Sequence, residues 1–358
     1  MFTETYRTDN IQLTEWFGVP YPDVFTDVES EYHALTQTAA LIDLCHWGAL
    51  RLTGGDRVRL LNALVTNDVE SLEPGQGCHC ALTTIKGKLV AELFVLRREN
   101  ELFVLVSQGD TAVVSATIKK HIIADDVSLE DVSGDYGVLA VEGPIARGIV
   151  WRLFPTTPLP EAPARFTDID YVGRPVTVVG NSVTGESGLH LVVPAAGIRR
   201  IREHLVQSGR GDDMLAAGRA AWDTRRVEAG LPWWDADIVP GENFPKECRL
   251  DGLVSYEKGC YLGQETLARM HHRGHPNRLL VGLSADAGET PRAGSELYAT
   301  GGADKPIGRV TSVVDSPALQ KTLMMGYVRT EAAEPGTALV LRAGGSEIPV
   351  AVVSLPVK

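Results

Sequence analysis

Hydrophobic positions change period several times along the chain, and each change marks an element. Tyr32, Leu35, Ala39 and Ile42 recur at helical spacing and predict a helix over 29–44. Val58, Leu61, Leu64 and Val65 form one apolar stripe on 57–65, with Asp56 placed as its N-cap. Further helices are predicted at 111–123, from Pro144 to about 154, at 196–208 and at 214–229, the last stopped by Gly230. Strand-like runs fall at 49–53, 78–84, 88–97, 101–106, 127–132, 136–141, 166–172, 175–179 and 189–193. Arg98-Glu99-Asn100 reads as a hairpin turn, and 1–28 reads as an irregular arm.

After Pro276 the helical period disappears. Short β-like runs at 279–283, 308–314, 325–328, 338–341 and 348–353, separated by glycines, predict a small β-barrel or sandwich. Helices interleaved with hairpins favour the α+β class, with antiparallel sheets, over a doubly wound parallel fold. The expected division is a region 1–276, made of two interleaved α+β subdomains, and a C-terminal β-barrel domain over 277–358.

Composition narrows the function classes. The chain has 358 residues, 44% hydrophobic and 22% charged, with a formal net charge of -12. That balance argues against direct nucleic-acid binding, which needs a basic footprint. No apolar run approaches the ~18 residues of a membrane span. Five scattered cysteines do not make a disulfide framework, and no signal peptide is visible, so a reducing, cytoplasmic setting is expected.

Several motifs can be set aside. No phosphate-binding loop or dinucleotide fingerprint is present, and there is no Gly-x-Ser-x-Gly elbow. On a strand, Cys78 and Cys80 point to one face and His79 to the other, so the three do not close a metal site, and no metal is expected. The chemistry-bearing stretch is Lys258-Gly259-Cys260-Tyr261-Leu262-Gly263-Gln264-Glu265. Cys260 stands just before a predicted helix start and near the ammonium of Lys258, both of which favour a thiolate. The alternative is a small buried hydrophobe. From Lys246 to Arg278 the chain is locally basic, which suits either a solvated loop or the steering of a small anionic ligand.

The run Lys258–Glu265, followed by Arg269 and Arg273-Gly274, resembles the signature of YgfZ-type folate-binding proteins, within the superfamily of the glycine cleavage T-protein, a tetrahydrofolate-dependent aminomethyltransferase. The segments 40–46, Asn67-Asp68-Val69, Thr184-Gly185-Glu186-Ser187-Gly188, 223–231 and 308–312 are similar to elements of that superfamily in the same order. The resemblance implies a three-lobed ring of domains and a tetrahydrofolate ligand, with Glu186 at the pterin edge and Arg226 along the folate. Lys258 and His79 are carried over as ligand-binding positions. Where transferases carry an Asp-Asp pair this chain has Ala91-Glu92, and Phe103 replaces a tyrosine. The main expectation is therefore a YgfZ-type protein serving the assembly or maintenance of iron–sulfur enzymes, including those that modify tRNA, with Cys260 as the reactive or cluster-contacting residue. The alternative is a folate-dependent aminomethyl- or methyltransferase using Glu92.

Overall fold

A computed structural model describes residues 11–16, 19–161, 163–286, 289–301 and 305–357. The chain divides into two compact units, each assembled from separated segments. One comprises the chain up to Thr83, Val90–Trp222 and Ser255–Leu262; the other comprises Thr84–Leu89, Asp223–Val254 and Gly263–Lys358.

The first unit is built on two larger sheets. One has the strand order Phe166–Asp170, Pro175–Gly180, Gly188–Pro194, Tyr136–Glu142, Ala40–Asp43, Leu215–Ala216. The other has the order Gly77–Thr83, Leu89–Arg97, Glu101–Gln108, Gly48–Thr53, Ser128–Asp131. Described pairings are antiparallel except for Leu215–Ala216, which runs parallel to Ala40 and Leu41. Helices Ala146–Leu153 and Ile198–Gly209 bury Ile149, Val150, Ile201 and Leu205 against the first sheet. Helices Arg57–Asn62 and Thr111–His121 bury Leu60, Leu61, Val114 and Ile118 against the second.

In the second unit, strands Arg278–Asp286, Lys321–Arg329, Gly308–Ser316, Glu296–Ala299, Ala338–Ala343 and Ser346–Val353 close into a barrel, resolving the choice between barrel and sandwich. The α+β class with antiparallel sheets and a C-terminal barrel is the observed architecture. Among the described residues no helix is long and apolar enough to cross a membrane.

Three expectations are corrected. The helix over 29–44 is a helix Val28–Gln37 followed by a strand Ala40–Asp43. Thr38 leaves the helical conformation at φ -127, ψ -106, and Ala39, Ala40, Leu41 and Ile42 are all buried. A run buried on both faces suits a central strand, which the helical spacing disguised. The helix over 214–229 is a short strand, Leu215–Ala216, then a helix Arg219–Ala229. Gly218 intervenes because a Cβ there would lie 2.3 Å from the Asp23 carbonyl oxygen. Within 1–28, strands Gln12–Trp16 and Val19–Val24 pair as a hairpin, while 1–10 lies outside the described residues.

Candidate functional site

The alternation of strand Leu89–Arg97 sets the site. Ala91, Leu93 and Val95 face the core, so Glu92 and Phe94 share the opposite face. On strand Gly77–Thr83, Cys80 and Leu82 pack in the same core, which puts His79 on the face of Glu92. The side chains meet there: His79 Nε2 lies 2.7 Å from Glu92 Oε1. Gln108 Nε2 donates to Glu92 Oε2 at 2.8 Å. A register shift between Glu92 and Leu93 seats Glu92 opposite Gln108. Both carboxylate oxygens are thus engaged. The glutamate side chain is 8% exposed and the imidazole 27%, so the histidine is the accessible end of the pair.

Aromatic rings extend this pair towards the other sheet. The His79 ring stacks on Phe94 at 4.0 Å, and Phe94 stacks on Trp47 at 5.7 Å. Trp47 meets His190 edge-on at 5.1 Å. The Trp47 indole Nε1 is buried and has no hydrogen-bond partner among the described residues.

A second buried carboxylate organises the turn beyond. Glu142 accepts from Ser182 Oγ at 2.5 Å, Thr184 Oγ1 at 2.8 Å, the Val183 amide at 3.1 Å, and lies 3.3 Å from His190 Nε2. This is a fully buried carboxylate surrounded by donors, as burial of such a group requires. Gly188 is part of the seat: a Cβ there would lie 2.6 Å from Glu142 Oε1. The turn so fixed carries Glu186, which is half-buried and whose amide donates to Thr184 Oγ1 at 3.4 Å.

The remaining candidates are placed as follows. Lys258 Nζ donates to the carbonyls of Asn62, Val65 and Asn67 and to Asn62 Oδ1, at 2.6–3.0 Å. Burial lowers its pKa from the ordinary lysine value. Asn67 in turn donates to the His79 carbonyl at 2.9 Å. Lys258 therefore braces the segment that holds the His79 strand. Cys260 is exposed, and the following helix, Gln264–His272, starts only after Gly263 at φ +85. Arg226, in the second unit, is buried and bonded to Asp223, Asp237, Ser312 and the Leu231 carbonyl.

Burial raises the pKa of the Cys45 and Cys80 thiols and pushes that of Cys248 up to about 12. Burial also drives His46 down to about 3. Among the described residues no cluster of metal ligands forms.

The sequence reading missed Trp47, Gln108, Glu142 and His190. One signal was available, since Glu142 is the lone charge ending the apolar run 138–141. The other three are single residues whose neighbours come from different strands.

Two mostly antiparallel sheets with helices, a closed barrel and a carboxylate–imidazole pair on the hairpin of strands Gly77–Thr83 and Leu89–Arg97 make an α+β protein with one candidate polar site. Residues 3–258 match the GCVT N-terminal domain, and residues 278–357 match the glycine cleavage T-protein C-terminal barrel domain. The chain belongs to this family. It is 32% identical to an aminomethyltransferase of Saccharopolyspora erythraea, over 99% of this chain and 96% of that protein. It is 30% identical to one of Shouchella clausii, over 99% and 95%. Its fold is similar to that of aminomethyltransferase T of the Bartonella henselae glycine cleavage system, with a TM-score of 0.88, 24% identity, and coverage of 99% and 96%.

These matches correct the main expectation. Full-length relatives at about 30% identity carry the aminomethyltransferase name, which overturns the reading as a YgfZ-type protein serving iron–sulfur clients. There is also a physical reason. In the stretch on which that reading leaned, the Lys258 ammonium is committed to the 62–67 segment instead of being free to activate Cys260.

Proposed function

We propose that this chain is a tetrahydrofolate-dependent one-carbon transferase of the aminomethyltransferase type. The observation carrying this reading is Glu92, a buried carboxylate with both oxygens hydrogen-bonded, standing where the transferases it resembles carry their Asp-Asp pair. Its longer side chain is drawn back to His79 and Gln108. An ionised carboxylate only accepts, so His79 Nε2 carries the hydrogen and Nδ1 keeps its lone pair. His79 then takes or returns the proton at Nδ1, and Glu92 stabilises the imidazolium that forms.

The residues present fit a folate. The buried Trp47 indole is a donor without an acceptor, and the ring column from His79 to Trp47 is flat and apolar beside it. Glu186, on the turn fixed by Glu142, supplies a carboxylate for the N–H edge of an aminopterin ring. Tetrahydrofolate supplies the nitrogen that accepts the one-carbon unit. Lys258 braces the segment that holds the His79 strand, Arg226 ties together residues of its own unit, and Cys260 is given no step. The region up to 276 carries the ligand groups. A reducing, cytoplasmic setting suits the five free thiols.

The test is calorimetric titration with tetrahydrofolate, then turnover with tetrahydrofolate and an aminomethylated lipoyl carrier. Saturable binding weakened by Glu186→Ala and by Trp47→Phe is expected. His79→Ala should lower turnover by about 10²–10⁴-fold, the range of a lost general acid–base group, with binding largely kept. Absence of saturable folate binding would falsify the proposal.

A further inference from the structure

The outer face of the barrel holds a pocket of about 550 Å³ lined by His275, Arg278, Arg309, Tyr327, Arg329 and Glu331, among others. The strand register explains why these side chains meet. Arg278 lies directly opposite Arg329, and Arg309 directly opposite Tyr327. Paired residues share a face, and Tyr327 and Arg329, two apart on one strand, share it too. Val328 between them points into the barrel core. Three arginines therefore line one concavity with Tyr327, and the Arg278 guanidinium lies 4.9 Å from the tyrosine ring centroid.

This arrangement has an unbalanced charge. Like charges directly opposed across a ladder are destabilising. Arg278 has one carboxylate, Glu247, at 3.4 Å. Arg309 and Arg329 have no carboxylate within ion-pair distance among the described residues. Glu296 is paired with Arg309 in the register, but its carboxylate accepts from the Tyr298 hydroxyl at 2.6 Å. Glu331 is the lone acidic side chain of the lining. In a chain of net charge -12, uncompensated arginines converging on a concavity call for a local anion. The Debye length of about 8 Å at physiological salt leaves these near charges to outweigh the distant acidic surface.

We propose that this pocket binds a small multivalent oxyanion, either a phosphate ester or a polycarboxylate. Planar guanidinium forks grip both by paired N–H···O bonds. Tyr327, which is buried, and Ile307, which is half-buried, add apolar surface to the lining.

The experiment is calorimetric titration of the full chain with pyrophosphate and, separately, with citrate, at about 0.15 M salt. At least one probe should bind saturably with a dissociation constant of about 1 mM or tighter. Binding should weaken about tenfold in Arg329→Gln and in Arg309→Gln, with unchanged thermal melts because both side chains are exposed. Pyrophosphate alone would assign a phosphate ester and citrate alone a polycarboxylate. No saturable binding of either probe, or binding that both substitutions leave intact, overturns the proposal.

Discussion

At the scale of single residues, two half-buried residues, Lys258 and His46, carry measurable consequences. Lys258 satisfies three carbonyls of the 62–67 segment with one ammonium. Lys258→Met should cost about 2–4 kcal/mol in urea denaturation, since charged hydrogen bonds are lost and acceptors are left unpaired. Lys258→Arg should not restore it, because a planar fork cannot reproduce converging contacts to a compact ammonium. His46 gives a pH dependence. Its ordinary pKa of 6.5 falls to about 3 on burial, so the unfolded chain takes up a proton that the folded chain refuses. Stability from this group is full above the unfolded value and is lost as pH falls from 6.5 towards 3. At about pH 5 the loss is roughly 2 kcal/mol, at 1.36 kcal/mol per unit. His46→Phe should flatten the denaturation midpoint between pH 7 and 5; an unchanged slope would remove His46 as its source.

At the scale of elements, what could be read from the sequence followed how local the signal was. The β-rich run 88–97 was legible as a strand, and strand alternation on 78–80 correctly separated His79 from Cys78 and Cys80. The shared face of Glu92 and Phe94 emerged only with the core packing of Ala91, Leu93 and Val95. The strand Ala40–Asp43 was hidden because its buried residues extended the helical spacing of 28–37. Glu296–Ala299 was too short to show a period. The Glu142 seat could not be read, because its donors lie 40–48 residues away in the chain. That seat makes a prediction about an element. Position 188, the first of strand Gly188–Pro194, has no room for a side chain, since a Cβ there would lie 2.6 Å from both the Glu142 carboxylate and the Asn181 carbonyl oxygen. Gly188→Ala should cost several kcal/mol, roughly 2–4, by displacing a buried, fully bonded carboxylate. Gly211→Ala, where a Cβ meets nothing within 4 Å, is the control and should lie within about 0.5 kcal/mol of wild type. Equal thermal melts for the two variants would show that Glu142 has room to move.

At the scale of the whole molecule, the barrel is more than its strands. The compact unit that contains it also takes in Asp223–Val254, and the ties are polar and buried. Arg226 donates to Ser312 at 2.8 Å and to Asp237, while Asp237 accepts from Ser312 at 2.7 Å. Glu228 accepts from Ser316 at 2.5 Å and its carbonyl from the Val357 amide at 2.8 Å. The Tyr327 hydroxyl donates to the Asp237 carbonyl at 2.9 Å. A fragment of 277–358 would keep every strand of the barrel and lose all of these partners. Ser312, Ser316 and Tyr327 would then be left with unpaired polar atoms on surfaces that are buried in the full chain. Each of these hydrogen bonds contributes about 0.5–3 kcal/mol net, and a small domain has only about 5–15 kcal/mol to lose. Expressed alone, 277–358 should therefore melt without a cooperative transition or aggregate. A fragment of 223–358, which restores Arg226, Glu228 and Asp237, should melt cooperatively, and Arg226→Met within it should undo the gain by leaving the buried Asp237 carboxylate without its counter-charge. If 277–358 melts as sharply as the longer fragment, these buried ties are dispensable and the barrel stands on its apolar core alone.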